Sequence, residues 1–214
     1  MSFNNKEFAT MRKTLIALAA VAAALAPQFA AAQQDSGQWL LRARALYLQS
    51  DNSDSTGLDL KINDKAFPEF DVSYFFTPNI ATELVLTYPQ RHTIRSGDTI
   101  IGSLKHLPPT LTLQYHFTDL KALRPYVGAG LNYTRFSSVS FEPAVDAALS
   151  PSIKKNSFGW ALQAGVDVPV KDGWLVNFDL KKVQIETDVS SAGTKVGTFK
   201  VNPLLVSVGV GKRF

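Results

Sequence analysis

The stretch 157–168, SFGWALQAGVDV, alternates without a break. Phe158, Trp160, Leu162, Ala164, Val166 and Val168 fall on one side of an extended chain; Gly159, Ala161, Gln163, Gly165 and Asp167 fall on the other. Successive side chains of a strand point to opposite faces, so this period of two specifies a strand with one apolar face and one small or polar face. The same pattern recurs at 39–48, 70–76, 80–88, 109–117, 125–136, 174–180 and 204–214, which makes eight candidate strands. Most run to about ten residues, the length a tilted strand needs to cross the hydrocarbon layer of a membrane. The connections alternate too. Long polar segments at 49–66, 90–105, 137–156 and 187–197 are interleaved with short ones at 77–79, 118–124 and 169–173. An eight-stranded, all-β, antiparallel up-and-down transmembrane barrel has this layout, with tight turns on the periplasmic side and long loops outside. Within the third long loop, residues 143–149 are expected to form one or two helical turns.

The first thirty residues set the compartment. Met11 is followed by Arg12 and Lys13, an apolar Ala/Leu-rich run over 14–25, and small residues at Ala30-Ala31-Ala32. A basic start, a short apolar run and small residues define a secretory signal, with cleavage expected between Ala32 and Gln33 and Ala30 at the upstream small position. The apolar run is too short for a retained spanning helix. The chain therefore divides into 1–32, a signal peptide with a short N-terminal extension that is removed, and 33–214, the barrel. Loss of Lys6, Glu7, Arg12 and Lys13 lowers the formal net charge from +4 to +2. That balance, with no run of Lys or Arg, excludes a nucleic-acid binder. With no cysteine, disulfides and thiolate metal sites are excluded as well. A mean hydropathy near zero excludes a bundle of apolar spanning helices.

A soluble barrel with an apolar lumen is the rival architecture. Three features oppose it. Gly128, Gly130, Gly159, Gly165, Gly209 and Gly211 lie on the polar face, where they suit a crowded lumen better than a solvated surface. Aromatics fall near the ends of the apolar stripes: Trp39, Tyr47, Phe70, Phe76, Tyr88, Tyr115, Phe117 and Trp174. This is the placement of interfacial girdles. Finally, the last strand ends on Phe214, a terminal aromatic of the kind read by the outer-membrane barrel assembly machinery.

Two longer motifs, His106–Leu111 (HLPPTL) and Arg124–Thr134 (RPYVGAGLNYT), carry a specific resemblance. With 173–177 (GWLVN), Asn202-Pro203 and Arg213-Phe214, they resemble the OmpW family over nearly the whole mature chain. The resemblance implies a cell outer-membrane location and a narrow, largely apolar lumen. It also implies passive uptake of small hydrophobic molecules, with a lateral exit between strands into the bilayer. Expected partners are outer-membrane lipid and lipopolysaccharide, the assembly machinery, and hydrophobic solutes. The alternative function is a closed structural or binding barrel that supports the envelope or acts through its outer loops. Two departures from the family pattern stand out. Lys212 occupies a position that is usually aromatic, and Lys181-Lys182 sit in the seventh strand where the apolar parity shifts. A β-bulge is the expected cause of that shift.

Residues on the lumen side are Arg42, Arg44, Glu69, Asp71, Glu83, Val85, Asp167, Asp179, Lys181 and Arg213. They line either a solute path or a salt-bridged plug, in which Arg42 and Arg44 face Glu69 and Asp71. Pro108 and Pro109 remove two ladder donors at the start of the fourth strand. They either stiffen the loop end or open a gap in the wall, and Phe67-Pro68 and Asn202-Pro203 pose the same choice. For catalysis, Ser96 or Ser103 with His92 or His106 would supply a nucleophile and a base. No spacing specifies such a pair, so neither enzymatic activity nor a cofactor is expected. His116 belongs to the other end of the barrel, which also argues against a three-histidine metal site.

Overall fold

The computed structural model describes residues 38–120 and 122–214. The expected leader and its cleavage position at Ala30, Ala32 and Gln33 lie outside the described residues. β1 (Trp39–Gln49) leads into a loop that holds β2 (Ser53–Asp54) and β3 (Leu60–Ile62), and β4 (Lys65–Phe75) returns. β5 (Ile80–Leu86) and β6 (Gln90–Ser96) run outward, and β7 (Thr99–Leu107) and β8 (Thr110–His116) run back. β9 (Arg124–Phe141), α1 (Pro143–Leu149), β10 (Pro151–Ile153) and β11 (Asn156–Pro169) follow. The chain ends with β12 (Trp174–Val183), β13 (Glu186–Ser191), β14 (Thr194–Lys200) and β15 (Leu204–Arg213).

Eight of these strands form a ring in the order β1, β4, β5, β8, β9, β11, β12, β15, every neighbouring pair antiparallel, and β15 closes it against β1. Closure pairs both edges of the sheet, which is the only way strands can satisfy their backbone groups in hydrocarbon. The alternation read from the sequence maps directly onto the wall. In β1, Leu40, Arg42, Arg44, Leu46 and Leu48 are buried while Trp39, Leu41 and Tyr47 are exposed. Around the ring, Leu84, Leu113, Val127, Leu131, Leu162, Leu180 and Val208 are likewise exposed. A continuous apolar belt of this extent is stable against lipid and not against water.

Short turns close one end. In the turn before β12, Asp172 and Gly173 both adopt positive φ, and a Cβ on Gly173 would come within 2.5 Å of the Arg213 carbonyl. Only glycine fits that position. At the same end Lys212 faces outward, its ammonium 5.3 Å from the centre of the Trp174 ring and 5.4 Å from that of Phe214. The lysine that replaces the expected aromatic is thus held over two aromatic faces.

Two expectations change. The long segments contain more than irregular loops. β6 and β7 form a hairpin that prolongs β5 and β8 beyond the belt, and β10, β13, β14 and β2 form a separate four-stranded sheet. α1 forms where one or two helical turns are expected. The second change concerns β12, where no bulge occurs. Its pairing with β11 and β15 runs in register through Lys181 and Lys182. Asn177, Asp179, Lys181 and Val183 all face the lumen. The strand keeps its parity while the lumen changes from polar to apolar.

Candidate functional site

The lumen is built in layers, and each inward stripe crosses them in the same order. At the short-turn end Leu40, Phe75, Ala81 and Leu175 form a small apolar cluster. The Arg213 guanidinium lies 3.8 Å from the centre of the Phe75 ring above it.

The middle layer is ionic. Three buried cations, Arg42, Arg44 and Lys181, meet five buried carboxylates, Glu69, Asp71, Glu83, Asp167 and Asp179. Register brings Arg42 opposite Asp71 and Arg44 opposite Glu69 on neighbouring strands. Arg42 Nη1 lies 2.9 Å from Asp71 and 3.0 Å from Glu83, and Nη2 lies 2.9 Å from Asp167 across the barrel. Arg44 Nε lies 2.9 Å from Glu69, and its Nη2 also meets Asp71. Lys181 Nζ joins Glu69 at 3.1 Å and Asp179 at 2.8 Å. Neutral side chains complete the network. Tyr126 donates to Asp179 at 2.6 Å, Gln163 donates to Glu83 and Asp179, and Asn177 donates to Asp167. Gly165 makes room for the Tyr126 ring, whose atoms would lie 2.4 Å from a Cβ there. His116 stacks on that ring at 4.8 Å. A cross-linked layer of this kind fills an eight-stranded cylinder instead of lining a water path.

Above it the lumen is apolar. Leu46, Leu48, Phe67, Val85, Val183, Ile185 and Leu205 surround a cavity of about 380 Å³, counting its open mouth. Glu69 and Lys181, paired to each other, border it from the ionic side. The lining matches a small apolar molecule in polarity.

The wall beside this cavity is interrupted. Pairing of β5 with β8 stops at Val85 and Thr110, and pairing of β6 with β7 resumes at Gln90 and His106. Pro89 lies in one gap, and Pro108 and Pro109 lie in the other. Proline has no N–H to offer a ladder. On the other side β4 pairs with β5 only as far as Phe70 and Leu86, so Phe67 and Glu69 border the same opening. On the β9 side the Pro109 carbonyl accepts from the Tyr133 N–H at 3.1 Å, and Asn132 adds to that bond. Its Nδ2 donates to Pro109 O at 3.2 Å and to Thr110 Oγ1 at 2.9 Å.

Beyond the belt, His92 and His106 face inward from the β6–β7 hairpin. Their rings stack with centres 4.5 Å apart. His92 Nδ1 meets Asn63 O at 3.0 Å, while neither ring nitrogen of His106 has a protein partner. Burial lowers the His106 imidazole to about 3, and His92 and Lys65 add to the drop. His92 is lowered as well, chiefly by burial. Ser103 lies on the opposite face of the hairpin, where its hydroxyl accepts from Arg91, and the Ser96 hydroxyl donates to Leu58 O. The candidate nucleophiles and bases are therefore not brought together.

The expected lumen residues thus divide. Arg42, Arg44, Asp71, Glu83, Asp167 and Asp179 lie in the ionic layer, Val85 in the cavity wall, and Glu69 and Lys181 at the boundary. Trp39, Tyr47, Phe76, Tyr88, Tyr115, Trp174 and Phe214 face outward. Tyr126, Asn132, Gln163 and Asn177 were not singled out from the sequence. Their only signal there is that uncharged polar groups share the lumen parity with the ionisable ones.

A closed eight-stranded barrel with an apolar belt defines a Gram-negative outer-membrane protein. The chain belongs to the OmpW family, whose sequence profile matches residues 35–214. It is 41% identical over 186 residues to the uncharacterized outer-membrane protein y4mB of Sinorhizobium fredii, covering 82% of this chain and 80% of that protein. Outer membrane protein W of Vibrio cholerae is 34% identical, with 95% and 100% covered. The dibenzothiophene metabolism operon protein PahQ of Pseudomonas aeruginosa is 31% identical, with 68% and 70% covered. The crystal structure of OprG from Pseudomonas aeruginosa shares the fold at a TM-score of 0.73, with 24% identity and 84% and 97% of the two chains covered.

Proposed function

We propose that the protein admits small hydrophobic molecules from outside into the outer apolar cavity and releases them sideways into the bilayer. One observation carries this reading: the cavity ends on an ion-paired floor, yet the wall beside it lacks the strand ladder between 87–89 and 107–109. An apolar solute gains nothing by crossing the ionic layer, whereas the lateral opening has lipid-facing Leu86 and Leu111 at its lower edge and leads down to acyl chains of matching polarity. The relative named for a dibenzothiophene operon supports a fused-ring aromatic compound as one solute class. On this reading the protein needs no catalytic group and no cofactor. Phe214, outward and 58% exposed, serves as the signal for barrel assembly.

The filled middle layer favours one competing reading, a closed barrel that acts through its outer loops. Uptake of radiolabelled naphthalene and of a disaccharide by a deletion strain, with and without the restored protein, separates the two. Faster naphthalene uptake with unchanged disaccharide uptake is expected. Equal naphthalene uptake in both strains would leave the closed barrel as the function.

A further inference from the structure

The sequence contains no cluster of basic residues, yet the fold assembles one. Arg91 and Lys105 are direct cross-strand partners on β6 and β7, both on the outward face. Arg135 on β9 is register-paired with Leu107, two residues from Lys105 on the same face. Like charges placed directly opposite in an antiparallel pair repel. None of the three forms an ion pair with a carboxylate among the described residues. Arg91 is held instead by a 3.1 Å bond from Nη2 to Ser103 Oγ. The Lys65 ammonium donates to the Arg91 carbonyl at 3.1 Å and adds a fourth charge beside them.

The height of this array identifies its counter-charge. Tyr133 lies two residues before Arg135 on the same outward face, and Tyr88 lies three residues before Arg91. Interfacial tyrosines mark the headgroup level. Two residues of strand rise about 7 Å, less when tilted. The cations therefore stand at the outer margin of the headgroups, directly above lipid-facing Leu131 and Leu111. Guanidinium and ammonium groups converging at that depth suit a phosphorylated headgroup whose acyl chains lie below.

We propose that Arg91, Lys105 and Arg135 bind the phosphates of an acylated, phosphorylated glycolipid of the outer leaflet, of the lipid A type. The site lies on the wall beside the lateral opening and does not depend on solute uptake. It would fix one lipid where the strand ladder is weakest and relieve the repulsion between Arg91 and Lys105.

The test uses the full barrel in phosphocholine nanodiscs without divalent cations, titrated with diphosphoryl lipid A, its dephosphorylated form, or inorganic phosphate. Native mass spectrometry counts retained lipid, and amide NMR reports the residues affected. We expect diphosphoryl lipid A to be retained about tenfold more tightly than the dephosphorylated form, a difference near 1.4 kcal/mol. Shifts should centre on Arg91, Lys105 and Arg135. The combined Arg91→Gln, Lys105→Gln and Arg135→Gln variant should lose the preference. A charge-matched control, Lys61→Gln, Lys195→Gln and Lys200→Gln, should keep it. Equal retention of both lipids by the unaltered protein would overturn the proposal whether or not the variants fold. So would shifts centred elsewhere, or saturation of the same residues by inorganic phosphate alone at concentrations that do not require lipid.

Discussion

Arg42 links three strands to one guanidinium, since Asp71, Glu83 and Asp167 all converge on it. Arg42→Ala would leave three carboxylates packed together without that counter-charge, and breaking a buried pair costs about 3–5 kcal/mol. Urea unfolding of the refolded barrel, followed by tryptophan fluorescence, should show a loss of that size. Retained stability would mean that the ionic layer is wet. His92 and His106 make a pH prediction. Their folded values lie below the ordinary value of about 6.5, to about 3 for His106, so the unfolded hairpin binds more protons between those limits. The stability that neutral, buried rings contribute is present above about 6.5 and is lost as pH falls toward 3. After correction for intrinsic exchange rates, amides of β6 and β7 should lose hydrogen-exchange protection over that range, and His106→Leu should reduce the effect. Unchanged protection would count against it.

Among the elements, β7 and β8 behave as one strand cut at Pro108-Pro109, and β5 and β6 as one strand cut at Pro89. The two interruptions face each other, so the wall fails at a single height. Replacing Pro108 and Pro109 by Ala restores two N–H donors, one on each side of the strand, and the one at 108 should extend the ladder toward β5. Amide exchange at 86–88 is expected to slow, and uptake of an apolar solute to fall several-fold. Slowed exchange with undiminished uptake would exclude this opening as the exit. The sequence marked the prolines and left open whether they stiffen or open the wall. It could not show that Pro89 faces them, because that follows from strand register. It also suggested a bulge at Lys181-Lys182, since apolar residues change parity there. In β12 the parity is constant and the environment changes instead, from the ionic layer at Lys181 to the apolar cavity at Val183.

At the scale of the molecule, alternation is a local property. A strand with one apolar face declares that face whatever its neighbours are. The sequence by itself therefore determined the eight strands, their inward and outward faces, the aromatic girdles, the outer-membrane class and the family. Ring closure decided the rest. Only the closed register sets Arg42 between Asp71 and Asp167, stacks His92 on His106, and lines up the two breaks in the ladder. It also gathers Arg91, Lys105 and Arg135 from three strands onto one patch of wall. The physical reason is the range of the interactions. Side-chain parity is fixed within two residues of chain, while charge pairing, stacking and gaps depend on which strands meet and at what height.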